Sequence, residues 1–197
     1  MTNQEYHERY MQDVNAHKPA ELITTEVLNN LNNGYTFKWV ADNKNYYSKG
    51  DIKMMKDGVK TRCIDVKDDH KIGGKNGTGN FAVEAGGWSK KNKCPVRGWI
   101  DSNYDYVAVI SQEDCTIWIL SFKRLREIYD KTDLTGGRKV TSDFWDNIKY
   151  NYLIPIYKAI ELGAVMAKIK YEYDDWFEEY VPVEYTNKAK LQKVDVA

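Results

Sequence analysis

The sequence predicts an α/β protein, in which a mixed central sheet of about five or six strands is flanked by helices. Apolar residues recur at helical spacing between Pro19 and Gly34. A two-stranded hairpin then lies between Gly50 and Lys67, and two apolar strands follow it further along the chain. A helical period followed by short segments with a strand period is the pattern expected of a sheet covered by helices.

The first helix is delimited by residues that are typical of helix ends. Pro19 is tolerated in a first turn, because the N–H that it lacks would have no partner there. Gly34 is typical of the position just after a helix, since it adopts a left-handed conformation without a steric penalty. Beyond it, residues Tyr35–Ala41 alternate in character and predict the first strand.

The next two strands are predicted to form a hairpin that carries charged residues. An extended run at Gly50–Met55, an Asp-Gly turn signal and a returning strand at Val59–Lys67 support it. Side chains two residues apart on a strand point to the same face. Asp65 and Lys67 are therefore expected to project together, and the hairpin can bring Asp51 alongside them.

Two carboxylates close to a lysine indicate metal chemistry on phosphate esters. A charge on an apolar strand is costly unless it is paired or binds a metal, and two neighbouring carboxylates repel each other unless a cation lies between them. Mg²⁺ is the natural cation, because it takes oxygen ligands and keeps several waters. Lys67 can then orient a water or stabilise charge on a phosphate, as metal-assisted phosphodiester hydrolysis requires.

This arrangement resembles the PD-(D/E)XK nuclease superfamily, whose motif is an Asp in one strand and Asp/Glu-X-Lys in the next. Residues 50–51 (Gly-Asp) stand where the family has Pro-Asp, and residues 65–67 (Asp-Val-Lys) form the second half. The resemblance covers roughly Glu21 to Ser121. It implies a restriction endonuclease-like core that cleaves DNA with Mg²⁺, for which Mn²⁺ can substitute.

The resemblance also assigns roles to individual residues. Asp51 and Asp65 would bind the metal and act in catalysis together with Lys67. The family commonly carries a Glu on the helix before the first strand, pointing into the metal site. Glu26 is the first choice for this catalytic position and Glu21 the reserve. Five positions correspond to about 140° around a helix, so both cannot face the site equally.

A fourth strand is predicted at Phe81–Glu84, beyond a polar loop. The order Asp-X-Lys, polar loop and Glu resembles a phage- and plasmid-type branch of the superfamily, which makes Glu84 a further candidate metal ligand. DNA contacts are expected from two loops, residues 68–80 and 85–103, where cations lie beside glycines and tryptophans. The expected DNA-binding residues are Lys71, Lys75, Lys90, Lys91, Lys93 and Arg97.

The remaining sheet strands are predicted at Tyr104–Ile110 and Thr116–Leu120, and a short helix follows Phe122. No internal repeat and no Pro- or Ser-rich linker interrupts the chain. We therefore expect a single domain, residues 1–197, with a nuclease core over about 19–130 and a helical C-terminal extension over about 142–197.

The C-terminal part is predicted with less detail. Ser142-Asp143 is typical of a helix start, and Ile156–Lys170 predicts a helix that is partly extended near its end. The acidic and aromatic segment 172–185 is not assigned. Residues 188–197 are expected to form a loose tail.

Composition excludes several classes of protein. The formal net charge is zero, so the chain as a whole is not a polycation. Its three cysteines show no CxxC spacing, which argues against a zinc site and a disulfide framework. The first 18 residues lack the apolar region of a signal peptide and no apolar run is long enough to span a bilayer, so a cytoplasmic setting without a membrane partner is expected.

Two alternatives to a restriction-type DNA endonuclease stay open. One is a structure-selective nuclease of the Holliday-junction resolvase type, which is often a homodimer because two strands must be cut symmetrically. The other is a DNA-binding protein that keeps the fold and has lost the chemistry. The intact Asp/Asp/Lys set favours an enzyme, and no organic cofactor is expected.

Overall fold

A computed structural model of the protein describes residues 19–40, 50–69, 72–73, 77–131, 137–144 and 147–194. In chain order the elements are α1 (19–30), β1 (Thr36–Trp39), β2 (Ile52–Lys56), β3 (Val59–Asp68), β4 (Asn80–Ser89), β5 (Cys94–Arg97), β6 (Tyr106–Ser111), β7 (Thr116–Ser121), α2 (Phe122–Asp130), β8 (Arg138–Phe144), β9 (Asn147–Pro155), α3 (Ile156–Glu161), β10 (Val165–Asp174), β11 (Glu179–Asn187) and α4 (Lys188–Val194). A short 3-10 helix (Trp99–Asp101) lies between β5 and β6.

The strands form two sheets. The first sheet has seven strands in the order β1-β2-β3-β6-β7-β10-β11, and the second sheet has four in the order β5-β4-β9-β8. Strands β3 and β6 run parallel, whereas the other neighbours in the first sheet are antiparallel. The predicted mixed α/β class and the hairpin of β2 and β3 are confirmed. The predicted count of about five or six strands is wrong, because the C-terminal half contributes β8 to β11.

Helix α1 covers one face of the first sheet. Its residues Ala20, Ile23 and Val27 are buried against Ile64 and Val66 of β3. Full burial of an aliphatic side chain contributes roughly 1.5–3 kcal/mol. The apolar positions that predicted the helix therefore also fix the side of the helix that faces the sheet.

The second sheet and α2 cover the other face. Val83 and Tyr152 of the second sheet pack with Val107 and Val109 of β6 in one buried cluster. Edge-to-face packing of Phe81 on Trp118, with ring centroids 5.8 Å apart, extends it. The cleft described below therefore has walls that share a packed core.

The parallel pairing decides which face of β3 carries the charged residues. Asp65 lies beside Val107 and Lys67 beside Val109, and both valines belong to the core shared with the second sheet. Ile64 alternates with them and faces α1. Asp65 and Lys67 are thus turned together toward the second sheet.

The helices are short, and none within the described ranges is both long and apolar enough to cross a bilayer. Helix α2 begins after Ser121, whose hydroxyl accepts a hydrogen bond from the backbone N of Arg124 at 3.4 Å. Such a bond satisfies one of the free N–H groups of a first turn. Leu125 and Ile128 then point into the core.

Several predictions for the second half of the chain are wrong. The predicted loop 85–103 contains the end of β4, all of β5 and the 3-10 helix. Ser142-Asp143 lies within β8 and does not start a helix, and the predicted tail at 188–197 begins as α4. The predicted helical extension 142–197 consists largely of strands, and Ile156–Lys170 divides into α3 and β10. Tertiary pairing with β4 and β7 overrides the local helical signals there.

Gly50 is required where the chain enters β2. Its φ is +81°, and an added Cβ would lie 2.7 Å from the carbonyl oxygen of Ile64. Gly58, in the hairpin turn, has a similar φ of +77°, and an added Cβ there would meet nothing within 4 Å. A residue with a side chain would be strained at either position, but only at position 50 would its Cβ also clash with backbone.

We expect Gly50→Ala to lower the free energy of unfolding by about 1–3 kcal/mol more than Gly58→Ala does, because only the first adds a clash with backbone. Urea unfolding of the two variants measures the difference directly. Equal losses for both variants would contradict the close approach of residue 50 to β3.

Candidate active site

Asp51 is tied to β3 by both its backbone and its side chain. Its N–H donates to the carbonyl oxygen of Ile64 at 2.9 Å, and its Oδ2 accepts a hydrogen bond from the backbone N of Val66 at 2.7 Å. Its carbonyl oxygen accepts from the N–H of Val40 at 2.8 Å. These bonds fix the carboxylate beside β3, just before β2 begins.

Asp65 and Lys67 form an ion pair on the same face of β3. The Nζ of Lys67 lies 2.6 Å from Oδ2 of Asp65. Asp65 is 4% exposed, whereas 35% of the Lys67 side chain is exposed. The shared face that the two-residue spacing predicts is confirmed, and Lys67 is the more exposed member of the pair.

The helix carboxylate near these residues is Glu21. Its Oε2 accepts a hydrogen bond from Nε1 of Trp39 at 2.6 Å, and its charge raises the pKa of Asp51. Glu26 lies elsewhere, close enough to Tyr173 of β10 to influence the pKa of that phenol. The structure therefore places Glu21, the reserve residue, at the site and Glu26, the first choice, away from it. The buried residues Ala20 and Val27 set this rotation of α1.

The pKa of Asp51 is raised from 3.8 to about 7. Burial is the largest cause, followed by the neighbouring charges of Asp65 and Glu21. The hydrogen bond from Val66 and the charge of Lys67 oppose the rise. The carboxylates are therefore close enough to repel one another, and a bound cation would relieve that repulsion.

Lys67 is held in its charged form. Burial lowers its pKa, but the charge and hydrogen bond of Asp65, followed by the charge of Asp51, outweigh burial and raise the pKa above its usual value. Its Nζ also lies 5.9 Å from the ring centre of Trp99, a position that favours a cation. Lys67 can thus orient an anion or a water, but it does not start as a base.

Tyr104 completes the surroundings of this ion pair. Burial and the nearby charge of Asp65 raise the pKa of its hydroxyl. It therefore stays protonated at neutral pH, and its ring packs edge-on against Phe122 at 5.5 Å between centroids.

Glu21, Asp51 and Lys67 line a cleft of about 420 Å³ between the two sheets, whereas Asp65 is buried beside Lys67 and is not part of the lining. One wall belongs to the first sheet and α1, and the other to the second sheet. The first wall is formed by Glu21, Asp51, Val66, Lys67, Asp68 and Asp69, and the second by Ala82, Glu84, Lys149 and Asn151, with Trp99 and Val109 completing the lining.

Glu84 enters the cleft from the second wall. Its Oε2 lies 2.9 Å from Nζ of Lys149. The prediction that Glu84 and the buried Val83 point to opposite faces of the strand is confirmed. Among the residues that the structure describes, no three His, Cys, Asp or Glu side chains are grouped as a ready metal site.

The expected DNA-binding residues divide into two groups. Lys71 and Lys75 lie outside the described residues. The others are exposed at one end of the second sheet, in the turn between β4 and β5 and at the end of β5. They are Lys90, Lys91, Lys93 and Arg97.

The sequence analysis missed the residues that β9 contributes. Lys149 and Asn151 face the cleft, while Tyr152 and Ile154 are buried in the core. The period-two alternation of polar and apolar residues across Asn147–Pro155 is the signal that predicts a half-buried strand. No local signal shows that this strand pairs with β4, which lies more than fifty positions away.

Comparison with protein-family models, with curated proteins and with solved structures finds no match to this chain. The functional assignment below therefore rests on the geometry and charge of the cleft.

We expect Asp51→Asn to be more stable than the wild type at alkaline pH in metal-free buffer. The folded-state pKa of about 7 lies above the ordinary 3.8, so the bound proton stabilises the fold fully at low pH, and this contribution is lost as the pH rises through 7. Asn still accepts from Val66 but carries no charge. The expected gain is on the order of 2 kcal/mol near pH 8 and close to zero near pH 4.

Urea unfolding in EDTA at the two pH values measures this gain. Glu172→Gln, at an exposed position of β10, is the control and should change stability little at either pH. A gain for Asp51→Asn that is the same at both pH values would show that charge is not its cause.

Proposed function

We propose that this protein is a Mg²⁺-dependent DNA endonuclease with a restriction endonuclease-like core, which hydrolyses phosphodiester bonds in the cleft between its sheets. One observation carries the proposal. A buried carboxylate pair, Asp51 and Asp65, adjoins a charged lysine, Lys67, whose amine reaches the cleft.

The donor set fits a hard divalent cation. Mg²⁺ prefers carboxylate oxygens and is usually bound through one or two of them while it keeps several waters. Asp51 and Asp65 supply such oxygens, and their mutual repulsion is visible in the raised pKa of Asp51. Bound there, Mg²⁺ would polarise a phosphoryl oxygen and activate a water.

Lys67 has the properties of an electrostatic stabiliser. It is positively charged, it is fixed by Asp65 at 2.6 Å, and about a third of its side chain is exposed to the cleft. A fixed cation next to a phosphate stabilises the charge that develops as the bond to the nucleophile forms. Its second role is to orient the attacking water by donating a hydrogen bond.

Glu21 would act from the rim of the same pocket. Its hydrogen bond from Trp39 orients the carboxylate, which lines the cleft together with Asp51 and would accept a hydrogen bond from a water there. We assign it a positioning role for the water, which replaces the catalytic role expected for Glu26.

DNA as the substrate is supported by the charge of the second sheet. Residues 80–97, 138–144 and 147–155 contain seven Lys and Arg but two Asp and Glu. Lys149 lines the cleft itself, and four of the other cations are exposed in or just after the β4–β5 turn. Such cations attract a phosphate backbone and position it without reading its sequence. Carboxylates on the opposite wall would repel that backbone unless a metal ion neutralised them.

We expect Asp51→Ala, Asp65→Ala and Lys67→Ala each to reduce cleavage of supercoiled plasmid in Mg²⁺ by at least about a hundredfold, because each removes a metal ligand or a charge that acts in the transition state. Circular dichroism and thermal unfolding verify that each variant is folded. Wild-type protein that nicks no plasmid in Mg²⁺ or Mn²⁺, and binds DNA equally in EDTA, would instead identify a non-catalytic DNA-binding protein.

The two helix carboxylates give a matched comparison on the same helix. We expect Glu21→Gln to lower the nicking rate by about tenfold or more, because it changes a group that orients water. Glu26→Gln should remain within twofold of the wild type, since Glu26 lies near Tyr173. Equal rates for the two variants would contradict the position assigned to Glu21.

A further inference from the structure

An ion pair faces the carboxylates from across the cleft. Glu84 of β4 and Lys149 of β9 lie on neighbouring strands, with 2.9 Å between Oε2 and Nζ, and their side chains are 24% and 35% exposed. Both line the same cleft as Asp51 and Lys67. The pair belongs to the second sheet, and its lysine is not among the residues that carried the family resemblance.

The strand register holds this pair in place. Glu84 lies opposite Asn151, and an irregularity in the register follows between Glu84 and Gly86. Lys149 therefore comes to lie opposite Gly87, which has no side chain. The Lys149 side chain contacts Glu84 across this irregularity, and both residues line the cleft.

The surroundings of Lys149 indicate an anionic ligand. Lys149 pairs with the carboxylate of Glu84, and the cations of the second sheet outnumber its acidic residues. A negative partner stabilises a partly buried amine. A phosphate oxygen offers the same charge and hydrogen-bond acceptor as the Glu84 carboxylate, so it can replace that partner.

We propose that Lys149 binds a backbone phosphate of the nucleic-acid substrate and that Glu84 is its exchangeable counter-ion, which positions the amine before the substrate arrives. This inference rests on the proposed function and deepens it, since it gives the cleft a second phosphate contact on the wall opposite Lys67. It also replaces the metal-ligand role expected for Glu84.

The two roles of Glu84 predict opposite effects on binding. A metal ligand supports substrate binding in the presence of a divalent cation, so its loss weakens the complex. A counter-ion competes with the phosphate for Lys149, so its loss strengthens the complex or leaves it unchanged. Glu84→Gln keeps the size of the side chain and removes the charge, and it therefore separates the two roles.

The test is fluorescence anisotropy of a labelled single-stranded or duplex oligonucleotide in Ca²⁺, titrated at several salt concentrations. Lys149→Gln is expected to weaken binding by about tenfold and to reduce the slope of log affinity against log salt by about 1, as for the loss of one phosphate contact. Glu84→Gln should bind at least as tightly as the wild type.

The chain offers a matched control pair on α3. Lys158 and Glu161 are also 2.9 Å apart, at an exposed position away from the residues that line the cleft. Lys158→Gln and Glu161→Gln should both bind within twofold of the wild type. Thermal unfolding in EDTA shows whether any variant has lost stability.

Two results would overturn the inference. If Lys149→Gln binds the oligonucleotide as tightly as Lys158→Gln does, a phosphate contact of Lys149 is excluded. If Glu84→Gln weakens binding in Ca²⁺ as strongly as Asp51→Asn does, Glu84 is a metal ligand. The outcome is separate from that of the proposed function. If the wild type cuts no substrate but Lys149→Gln still weakens binding, the nuclease proposal fails and the phosphate contact stands.

Discussion

The hydrogen bond from the backbone of Val66 to the carboxylate of Asp51 is the contact on which the candidate site depends. It forms just before β2 begins, so a side chain takes the place of the next backbone partner of β3. Gly50 allows this close approach. The result is a largely buried carboxylate beside Asp65, in surroundings that disfavour its charged form. Two neighbouring buried carboxylates repel each other, and a bound cation would relieve that repulsion.

The two sheets divide the charges of the cleft between them. The first sheet and α1 present carboxylates and one lysine, and the second sheet presents one ion pair, Glu84 with Lys149. The shared core of Val83, Tyr152, Val107 and Val109 fixes the walls relative to each other. Under the proposed function, a phosphate would bind Lys149 on one wall and would approach the carboxylates of the other wall once a metal ion neutralised them. Metal binding and substrate binding would then favour each other.

Local sequence patterns predicted the part of the site that is local in structure. Asp65 and Lys67 share a face because strands alternate, and an Asp-Gly turn brings β2 back beside β3. The choice between Glu21 and Glu26 needed the rotation of α1, which its buried residues set by packing on the first sheet. Lys149 was missed because β9 reaches the cleft only through pairing with β4, a contact between distant segments that periodicity does not specify.

The most direct test of the account is a crystal of the protein soaked in Mn²⁺, with anomalous diffraction used to locate the ion. We expect an anomalous peak for Mn²⁺ within about 2.2 Å of carboxylate oxygens of both Asp51 and Asp65. The amine of Lys67 should lie beside the ion, and Glu84 should still be paired with Lys149. Well-ordered density for these side chains without a Mn²⁺ peak, or a Mn²⁺ ion bound by Glu84 and not by Asp51, would contradict the proposed metal site.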